Sequence, residues 1–430
     1  MFSITPLTVF ATTENNIEDR LQQMEKQLQQ MQAETDQRPV NRQQTGQLSD
    51  NGFNPAISIT LDGGYASYKN DPEDYSLPGY ILGGEAGLAP EGFSIGHSEL
   101  TMSNNIDNRF FGQVTLAVAD HEGETEVELE EAFFETLSLG SGLGSGLGLR
   151  GGRFYSAVGY LNQQHQHAWD FYDAPLVYRG IFGNQYFDDG MRLSYIVPTE
   201  LYFELGAEAF AGKQFPAGGE HHNIGSWTGF LRLGGDIGLS HSWQAGLSYW
   251  RADDVSRDYA SHSHDGEVTE TPLFEGDSDI LGVNAVYKWA PYGNYRDRNL
   301  KLQFEYFKRD EDGQLTLQGG DPLETSSLSS RQDGWYLQAI WQFAREWRMG
   351  ARIDSLDSDN TGDDSSVLDE AGLSGNGFTP ERSSIMAEWL PSEFSRLRLQ
   401  YNHDESYEEA DEQLFLQYTF SIGAHGAHEF

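Results

Sequence analysis

The stretch QLFLQYTFSIGAHGAHEF covers residues 413–430, the C-terminal end of the chain. Its apolar side chains recur at every second position, and these are Leu414, Leu416, Tyr418, Phe420 and Ile422. Residues two apart on a β-strand point to the same face. The stretch therefore predicts a strand with one apolar face, followed by an aromatic last residue, Phe430.

The same alternation recurs upstream at regular intervals. In LYFELGAEAF, residues 201–210, the apolar side chains share one parity, and Glu204 and Glu208 share the other. Residues 300–306, 335–343 and 347–354 repeat this pattern, with charged or amide side chains on the second parity. Apolar faces towards lipid and polar faces towards a wet lumen are typical of a transmembrane β-barrel.

Short turns and long polar loops alternate between these strands. The short turns are NIDN (105–108), VPTE (197–200), LSHS (239–242) and PSEFS (391–395). We predict an all-β fold, a transmembrane antiparallel β-barrel of about sixteen strands over residues 54–430, with both chain ends in the periplasm of a bacterium. The terminal aromatic resembles the assembly signal of such barrels, so Phe430 is expected to contact the barrel assembly machinery.

The composition agrees with a barrel. Hydrophobic residues make up 38% of the 430 residues, and no apolar run of eighteen residues occurs, which excludes a predicted helical span. The mean hydropathy of -0.56 is low because every second barrel residue faces water. A β-sandwich or a propeller is the soluble alternative, but neither requires an aromatic last residue.

The chain is strongly acidic. It has 67 acidic and 27 basic residues, a formal net charge of -40. Such a field repels nucleic acid and favours cations. The alternative is that acidic loops meet lipopolysaccharide through bridging cations, so outer-membrane lipid and lipopolysaccharide are expected partners.

The N-terminal segment divides into three parts. Residues 1–13 are interpreted as the remnant of a signal peptide. Residues 14–34 contain a 4-3-4-3 spacing of apolar side chains, Ile17, Leu21, Met24, Leu28 and Met31. This spacing predicts a short coiled-coil helix that holds an oligomer together, or else a solitary amphipathic helix at the barrel mouth. Residues 35–53 are predicted to be a polar linker.

Three segments resemble known proteins, namely FNPAISITLDGGYASY (53–68), LRGGRFYSAVGYLNQQHQHAWDFYDAPLVYRGIFGNQYFDDGMRLSY (149–195) and SIGAHGAHEF (421–430). They resemble a family of proteobacterial outer-membrane proteins that is often labelled zinc-regulated or TonB-dependent. LRGGRFYSAVGYLN is also similar to the phosphate-selective porins. That likeness implies a sixteen-stranded homotrimer with an N-terminal coiled coil.

Two of these labels conflict with the sequence. TonB-dependent receptors have 22 strands around a folded plug, which requires a much longer chain. Phosphate selectivity depends on basic ladders, whereas acidic residues predominate here. We therefore expect the sixteen-stranded trimeric architecture of these porins but not their selectivity for phosphate.

The third outer loop is predicted to run from about Gly159 to Gly183 and to fold into the lumen as a constriction. His165 and His167 are two apart, and Asp170 and Asp173 follow closely. Imidazole and carboxylate together suit zinc or a similar divalent ion. The alternative is that these groups hydrogen-bond the loop to the barrel wall, with Trp169 and Phe171 as packing anchors.

Two further outer loops carry paired histidines beside acids. One contains His221 and His222, and the other contains His262, His264 and Asp265. These loops would concentrate a scarce cation, and lumen acids would then lower the barrier to its passage. The expected lumen acids are Glu126, Glu128, Glu130, Glu204 and Glu208. Ordinary solvated loops are the alternative.

Three arginines are expected near the constriction. Arg150 and Arg192 flank the third loop, and Arg179 lies within it. Opposed to carboxylates, they would set a transverse field across the pore, or they would simply pair with neighbouring acids. The sequence contains no cysteine nucleophile, GxSxG, HExxH or P-loop motif, so an enzyme is not predicted.

Together these observations predict a trimeric outer-membrane channel for passive diffusion of small hydrophilic solutes with a cation bias. A narrower hypothesis is uptake of zinc or another divalent metal, as a transported or loop-bound ion, with no required cofactor. One alternative is a general porin with incidental histidines. The other is a non-conducting surface barrel, such as an adhesin or a scaffold.

Overall fold

The computed structural model describes residues 55–121, 124–137, 146–219, 221–259, 271–319, 323–375, 377–407 and 409–423. Several sequence predictions lie outside these residues. They concern the signal-peptide remnant, the coiled coil of residues 14–34, the linker of residues 35–53, and the side chains of Glu126, His262, His264, Asp265 and Phe430.

The described residues form seventeen strands and two short α-helices. The strands are β1 (Ala56–Ser67), β2 (Gly92–Ser94), β3 (Ser98–Asn105), β4 (Phe110–His121), β5 (Glu124–Thr136), β6 (Leu147–Tyr155), β7 (Phe187–Ile196), β8 (Tyr202–Phe210), β9 (Ser226–Ile237), β10 (His241–Asp258), β11 (Thr271–Trp289), β12 (Asn299–Gln318), β13 (Glu324–Ala344), β14 (Trp347–Thr361), β15 (Glu381–Ser392), β16 (Ser395–Glu405) and β17 (Asp411–Gly423). The helices are α1 (Leu176–Phe182) and α2 (Ser365–Glu370).

The strands close into a barrel because β1 pairs antiparallel with β17, from Ser58 opposite Gly423 to Ser67 opposite Leu414. Strands β2 and β3 both pair antiparallel with β1, β2 beside its second half and β3 beside its first half. They form one strand of the barrel, interrupted at residues 95–97. The barrel therefore has sixteen strands, and the predicted fold class and strand number are confirmed.

Alternation places the apolar side chains outside. Leu337 is 42% exposed and its neighbour Gln338 is 3% exposed. Exposed aromatic residues near the short-turn rim include Tyr202, Trp341, Trp347, Trp389 and Tyr418. An aliphatic belt flanked by aromatic residues matches the thickness and the interfaces of a bilayer. The outer surface thus requires lipid around it.

The two rims differ in the length of their connections. One rim carries short turns, such as residues 106–109 between β3 and β4 and residues 345–346 between β13 and β14, together with the start of β1 and the end of β17. The opposite rim carries the longer loops, including residues 156–186 and 362–380. Among the described residues, no helix is long and apolar enough to cross a membrane.

The inside of the barrel is well filled. The first loop, residues 68–91 between β1 and β2, contributes Tyr75, Leu77 and Tyr80 to a buried apolar cluster. The same cluster contains residues of α1 and inward-facing residues of the wall. The Tyr80 hydroxyl donates to the carbonyl oxygens of Asp333 and Asp357, at 2.8 and 2.7 Å. The first loop is thereby attached to β13 and β14.

Candidate functional site

The third long loop, residues 156–186, folds into the barrel, as the sequence predicted. Wall carboxylates accept its backbone amides where it enters. Ala157 N–H donates to Glu208 Oε1 at 2.9 Å, and the N–H groups of Tyr160 and Leu161 donate to Glu305 at 2.7 and 3.0 Å. Buried amide groups need such acceptors because no strand partner is available to them. Glu208 is thus a lumen acid, as predicted, but its role is to hold the loop.

The loop reaches the far side of the barrel. All seven residues of α1 are buried, and the helix contacts β12, β13 and β14. The loop itself connects β6 to β7, which lie on the opposite side of the sixteen-strand ring. Tyr178 of α1 packs edge-to-face on Phe307 of β12, with ring centroids 5.2 Å apart. The loop therefore crosses the lumen.

Asp170 and Asp173 bind a basic wall, which we define as Lys301, Arg348, Arg352, Arg382, Arg396 and Arg398 on β12 and β14–β16. Asp170 Oδ2 lies 2.8 Å from Lys301 Nζ. Asp173 Oδ1 lies 2.9 Å from Arg352 Nη2, and Asp173 Oδ2 lies 2.7 Å from Arg382 Nη1. Burial alone would raise the pKa of Asp173, but the charges of Arg382 and Arg352 lower it well below its usual range.

These contacts correct the expectation that Asp170 and Asp173 stand beside the loop histidines as ligands or pore-lining groups. Both carboxylates are buried and neutralised by cations of the wall. Asp170 and Asp173 instead attach the loop to the barrel wall, which is the alternative that the sequence left open. Trp169 and Phe171 are 3% and 1% exposed and act as the packing anchors of that alternative.

His165 and His167 point the other way, towards an acidic wall, which we define as the lumen side of β3–β5 with Glu99, Glu128, Glu130 and Glu131. His167 Nδ1 lies 2.7 Å from Glu99 Oε1. His165 Nδ1 lies 3.1 Å from Glu99 Oε2 and 3.4 Å from Glu130 Oε2, within ion-pair distance but without hydrogen-bond alignment. His165 Nε2 lies 3.1 Å from Glu131 Oε2.

His97 completes this group, which we call the histidine–glutamate cluster: His97, Glu99, Glu130, Glu131, His165 and His167. His97 Nε2 lies 2.7 Å from Glu130 Oε1. The Tyr155 hydroxyl donates to the same oxygen at 2.6 Å, and Gln113 Nε2 donates to Glu131 Oε2 at 2.9 Å. Each carboxylate of the acidic wall in this cluster is therefore held by a neighbouring side chain.

Two strand irregularities build the cluster. Thr115 of β4 pairs with Glu131 and Leu116 pairs with Leu129, so Glu130 is the extra residue of a β-bulge. The bulge lets the consecutive residues Glu130 and Glu131 both face the lumen, at 2% and 5% exposure. The break between β2 and β3 contains His97. Bulges commonly re-aim side chains in this way beside functional sites.

The neighbouring carboxylates favour the protonated form of His165. Burial alone would lower the pKa of His165, but the charge of Glu99 and the contacts with Glu130 and Glu131 raise it well above its usual value. A proton on His165 would balance part of the carboxylate charge around it.

The sequence predicted His165, His167 and Glu130 in this region, but not His97, Glu99 or Glu131. One signal was available for Glu131. Two consecutive glutamates cannot both face water on a regular strand, so Glu130 and Glu131 together indicate a bulge. His97 and Glu99 carry no comparable signal, because their positions depend on pairing with strands elsewhere in the chain. Glu128 lies next to the cluster, beside Glu85.

The three arginines do not set a transverse field. Arg150 Nε donates to Glu135 Oε2 at 2.7 Å, and Arg192 Nε donates to Glu208 Oε1 at 2.5 Å. Arg179 on α1 is buried, with its guanidinium 4.9 Å from the centre of the Tyr75 ring. Arg150 and Arg192 instead pair with neighbouring acids, which is the alternative that the sequence left open. Arg179 belongs to the packed interior and not to an open constriction.

His221 and His222 are separate from the cluster. His221 Nε2 lies 3.0 Å from the carbonyl oxygen of Gly218, and His222 is exposed. Among the described residues, the groups with metal-ligand spacing contain neither of them. Glu204 pairs with Arg232 at 3.2 Å on the lumen side of β8 and β9.

The cluster lies on the least sealed side of the lumen. His165 retains 19% exposure of its side chain, and Gln113, Thr101, Glu85 and Glu128 are half-buried. On the other side of the loop, inward-facing Trp250, Phe307 and Tyr336 are each 0% exposed. Solvent contact inside the barrel is therefore retained beside the acidic wall.

The sequence is similar to an uncharacterized protein of Aquifex aeolicus (strain VF5), with 29% identity over 419 residues that cover 90% of this chain and 82% of the relative. No protein-family model matches the chain. The expected membership in the family labelled zinc-regulated is therefore not supported.

Solved structures share the architecture. The outer membrane channel DcaP of Acinetobacter baumannii matches with a TM-score of 0.51 and 10% identity, over 86% of this chain and 97% of that chain. OmpT of Vibrio cholerae, an outer membrane protein, matches with its loop L8 deleted at a TM-score of 0.50 and 9% identity, over 86% and 99%. The chain thus has the fold of the outer-membrane porins, a closed barrel of sixteen strands.

Proposed function

We propose that this chain is a porin-type channel of the outer membrane that passes small hydrophilic solutes by passive diffusion, with a bias for cations. One observation carries the proposal. The third loop crosses the lumen and seals the basic side, and its histidines lie against the acidic side, where polar side chains keep contact with solvent. The proposed passage follows this acidic side, where Glu85 and Glu128 are half-buried.

The charges along this path favour cations. Most of the lumen arginines are paired with buried carboxylates, as Arg352 is with Asp173 and Arg192 is with Glu208. The half-buried side chain of Glu128 lies next to those of Glu85 and Glu130, so carboxyl groups outnumber the basic groups near it, His97 and Arg153. Like charges in a narrow channel of low dielectric attract counter-ions and repel anions.

The proposal includes placement and assembly. The rim of short turns, with both ends of the barrel, would face the periplasm, and the long loops would face the lipopolysaccharide layer. The predicted coiled coil of residues 14–34 would then lie in the periplasm and hold a homotrimer, and Phe430 would serve barrel assembly.

A non-conducting surface barrel is a second candidate, and the packing of the lumen favours it. The first and third loops bury an apolar cluster inside the barrel. A barrel filled in this way resembles an anchor for outer loops more than a wide pore.

Single-channel recording across a salt gradient tests both candidates. The folded protein should conduct, with a reversal potential of the sign given by cation flow. Glu128→Gln should move that potential towards zero, because it removes an ionisable carboxyl group from the proposed path. Glu381→Gln, an exposed position on the outer face of β15, is the matched control and should leave it unchanged.

Three results would contradict the channel or its bias. Absence of current in the folded, inserted protein would favour the non-conducting barrel. An anion-selective reversal potential would reject the cation bias. Equal shifts in Glu128→Gln and Glu381→Gln would show that the effect comes from net charge and not from the acidic wall.

A further inference from the structure

Three buried polar atoms of the histidine–glutamate cluster point to a common space without a hydrogen-bond partner among the described residues. They are Glu99 Oε2, Glu130 Oε2 and His165 Nδ1. Glu99 and Glu130 are 3% and 2% exposed. Two buried carboxylate oxygens beside one ring nitrogen, at ion-pair distance but without hydrogen-bond alignment, require a positive charge between them, which a proton on the ring or a bound cation can supply.

The other atom of each group is already held. Glu99 Oε1 contacts His167 Nδ1, Glu130 Oε1 accepts from Tyr155, and His165 Nε2 contacts Glu131. The neighbouring side chains thus fix the rings and carboxylates. They leave Glu99 Oε2 and Glu130 Oε2 at 3.1 and 3.4 Å from His165 Nδ1, close to it but not aligned as hydrogen bonds. Such outer contacts are a regular feature of metal sites, where they orient the ligands.

The spacing of the donors suits a metal ion. Glu99, His165 and His167 each offer one ligand atom, and these atoms lie within 4.8 Å of one another. A small closure brings such atoms to about 2 Å from a common centre. Glu130 Oε2, 3.4 Å from His165 Nδ1, stands close enough to contribute a further oxygen.

We propose that Glu99, His165 and His167 bind one divalent transition-metal ion of the Zn²⁺ type, with Glu130 as an additional ligand. Two imidazoles and a carboxylate favour Zn²⁺ over Mg²⁺ or Ca²⁺, which prefer oxygen ligands. The ion takes the place of the ring protons, because imidazole binds metal only in its neutral form.

The number of protein ligands fits a metal ion that binds and leaves better than one that is held permanently. The three ligands Glu99, His165 and His167 leave a fourth position that either Glu130 or water can take, unlike the closed four-ligand sites that hold structural zinc. The cluster also lies on the side of the lumen that retains solvent contact. The role of this site as an ion-selecting step rests on the proposed channel, whereas metal binding itself does not.

Titration calorimetry of the tag-free, full-length barrel with Zn²⁺ at neutral pH tests the site. The starting protein should carry Ala at His221, His222, His262 and His264, so that outer-loop histidines do not contribute. It should bind one Zn²⁺ per chain, and excess Mg²⁺ should not displace it. Adding His165→Ala and His167→Ala should weaken binding by about 100-fold or more.

The histidine variants could lose Zn²⁺ binding by misfolding, so the test includes folding measurements and a conservative variant with its control. Circular dichroism and the heat-dependent gel migration of folded barrels should first show that each variant is folded. Glu99→Gln keeps the size and much of the hydrogen bonding of the side chain and should also weaken Zn²⁺ binding. Glu381→Gln on the outer face is its matched control and should bind as the starting protein does.

Lack of stoichiometric Zn²⁺ binding by the folded starting protein would overturn the proposal, as would unchanged affinity in the folded histidine variants. In either case ion pairs alone would hold the cluster together. A barrel that binds Zn²⁺ at the cluster but carries no current would reject the channel and support the site. A conducting barrel without Zn²⁺ binding would reject the site alone.

Discussion

Asp173 Oδ2 and Arg382 Nη1 lie 2.7 Å apart inside the barrel, although 209 residues separate them in the sequence. The other oxygen of Asp173 contacts Arg352, and Gln400 and Asn402 donate to the same carboxylate. All of these side chains are buried. This network joins the third loop to β14, β15 and β16, so the loop holds its position across the lumen.

We expect Asp173→Asn to destabilise the folded protein by about 3 kcal/mol or more, because it leaves the buried Arg352 and Arg382 with one carboxylate, Asp354, in place of two. Urea unfolding in lipid vesicles measures the change. Asp253→Asn is the matched control, since its pair with Arg251 is exposed and should contribute under about 1 kcal/mol. Equal losses in the two variants would contradict an anchoring role for Asp173.

The pH dependence of this anchor follows from its lowered pKa. A carboxylate whose pKa is lower in the folded state stabilises the fold fully above its unfolded pKa of about 3.9 and loses that contribution as the pH falls towards the folded pKa. The difference in unfolding free energy between the wild type and Asp173→Asn should therefore stay constant from about pH 7 to pH 5. Below about pH 4 it should shrink. A difference that shrinks already between pH 7 and pH 5 would contradict the pKa shift.

Gly159 is required where the loop enters the barrel. Its φ is +67°, and a Cβ there would lie 2.4 Å from Tyr178 Oη and 2.7 Å from Phe307 Cζ. Gly159→Ala should cost about 2 kcal/mol or more, because it combines backbone strain with overlap in a packed interior. Gly87→Ala, with no atom within 4 Å of the new methyl group, should leave the unfolding midpoint nearly unchanged. Similar midpoints for both variants would show that the loop entrance adapts.

The third loop should limit the conductance. Replacing residues 160–182 by a short Gly/Ser linker is expected to raise the single-channel conductance several-fold, because α1 and its packed neighbours then leave the lumen. Removal of the exposed residues 222–224 is the control and should have little effect on conductance. Unchanged conductance without the loop would mean that the narrowest point lies elsewhere.

Much of the fold could be predicted from the chain alone. Alternation identified the strands, and the lengths of the connections placed the third loop and its histidines. The cluster was only partly predictable. The paired residues Glu130 and Glu131 indicate a bulge, but Glu99 meets His167 through a separation of 68 residues that no local pattern encodes. Asp170 and Asp173 were predicted beside the loop histidines, but they face the basic wall. Closeness in sequence to His167 does not determine which wall a buried side chain faces.

The sequence by itself determined the closed barrel and its polarity, because the two-residue period of a strand is local and places every second side chain in lipid. Only the tertiary structure decided which charges meet. Asp173 faces Arg352 and Arg382, and His165 faces Glu99 and Glu130, since closure of the barrel brings strands together that are far apart in the chain. The choice of partner depends on register, on a bulge and on the path of one loop, and these are settled by packing across the lumen.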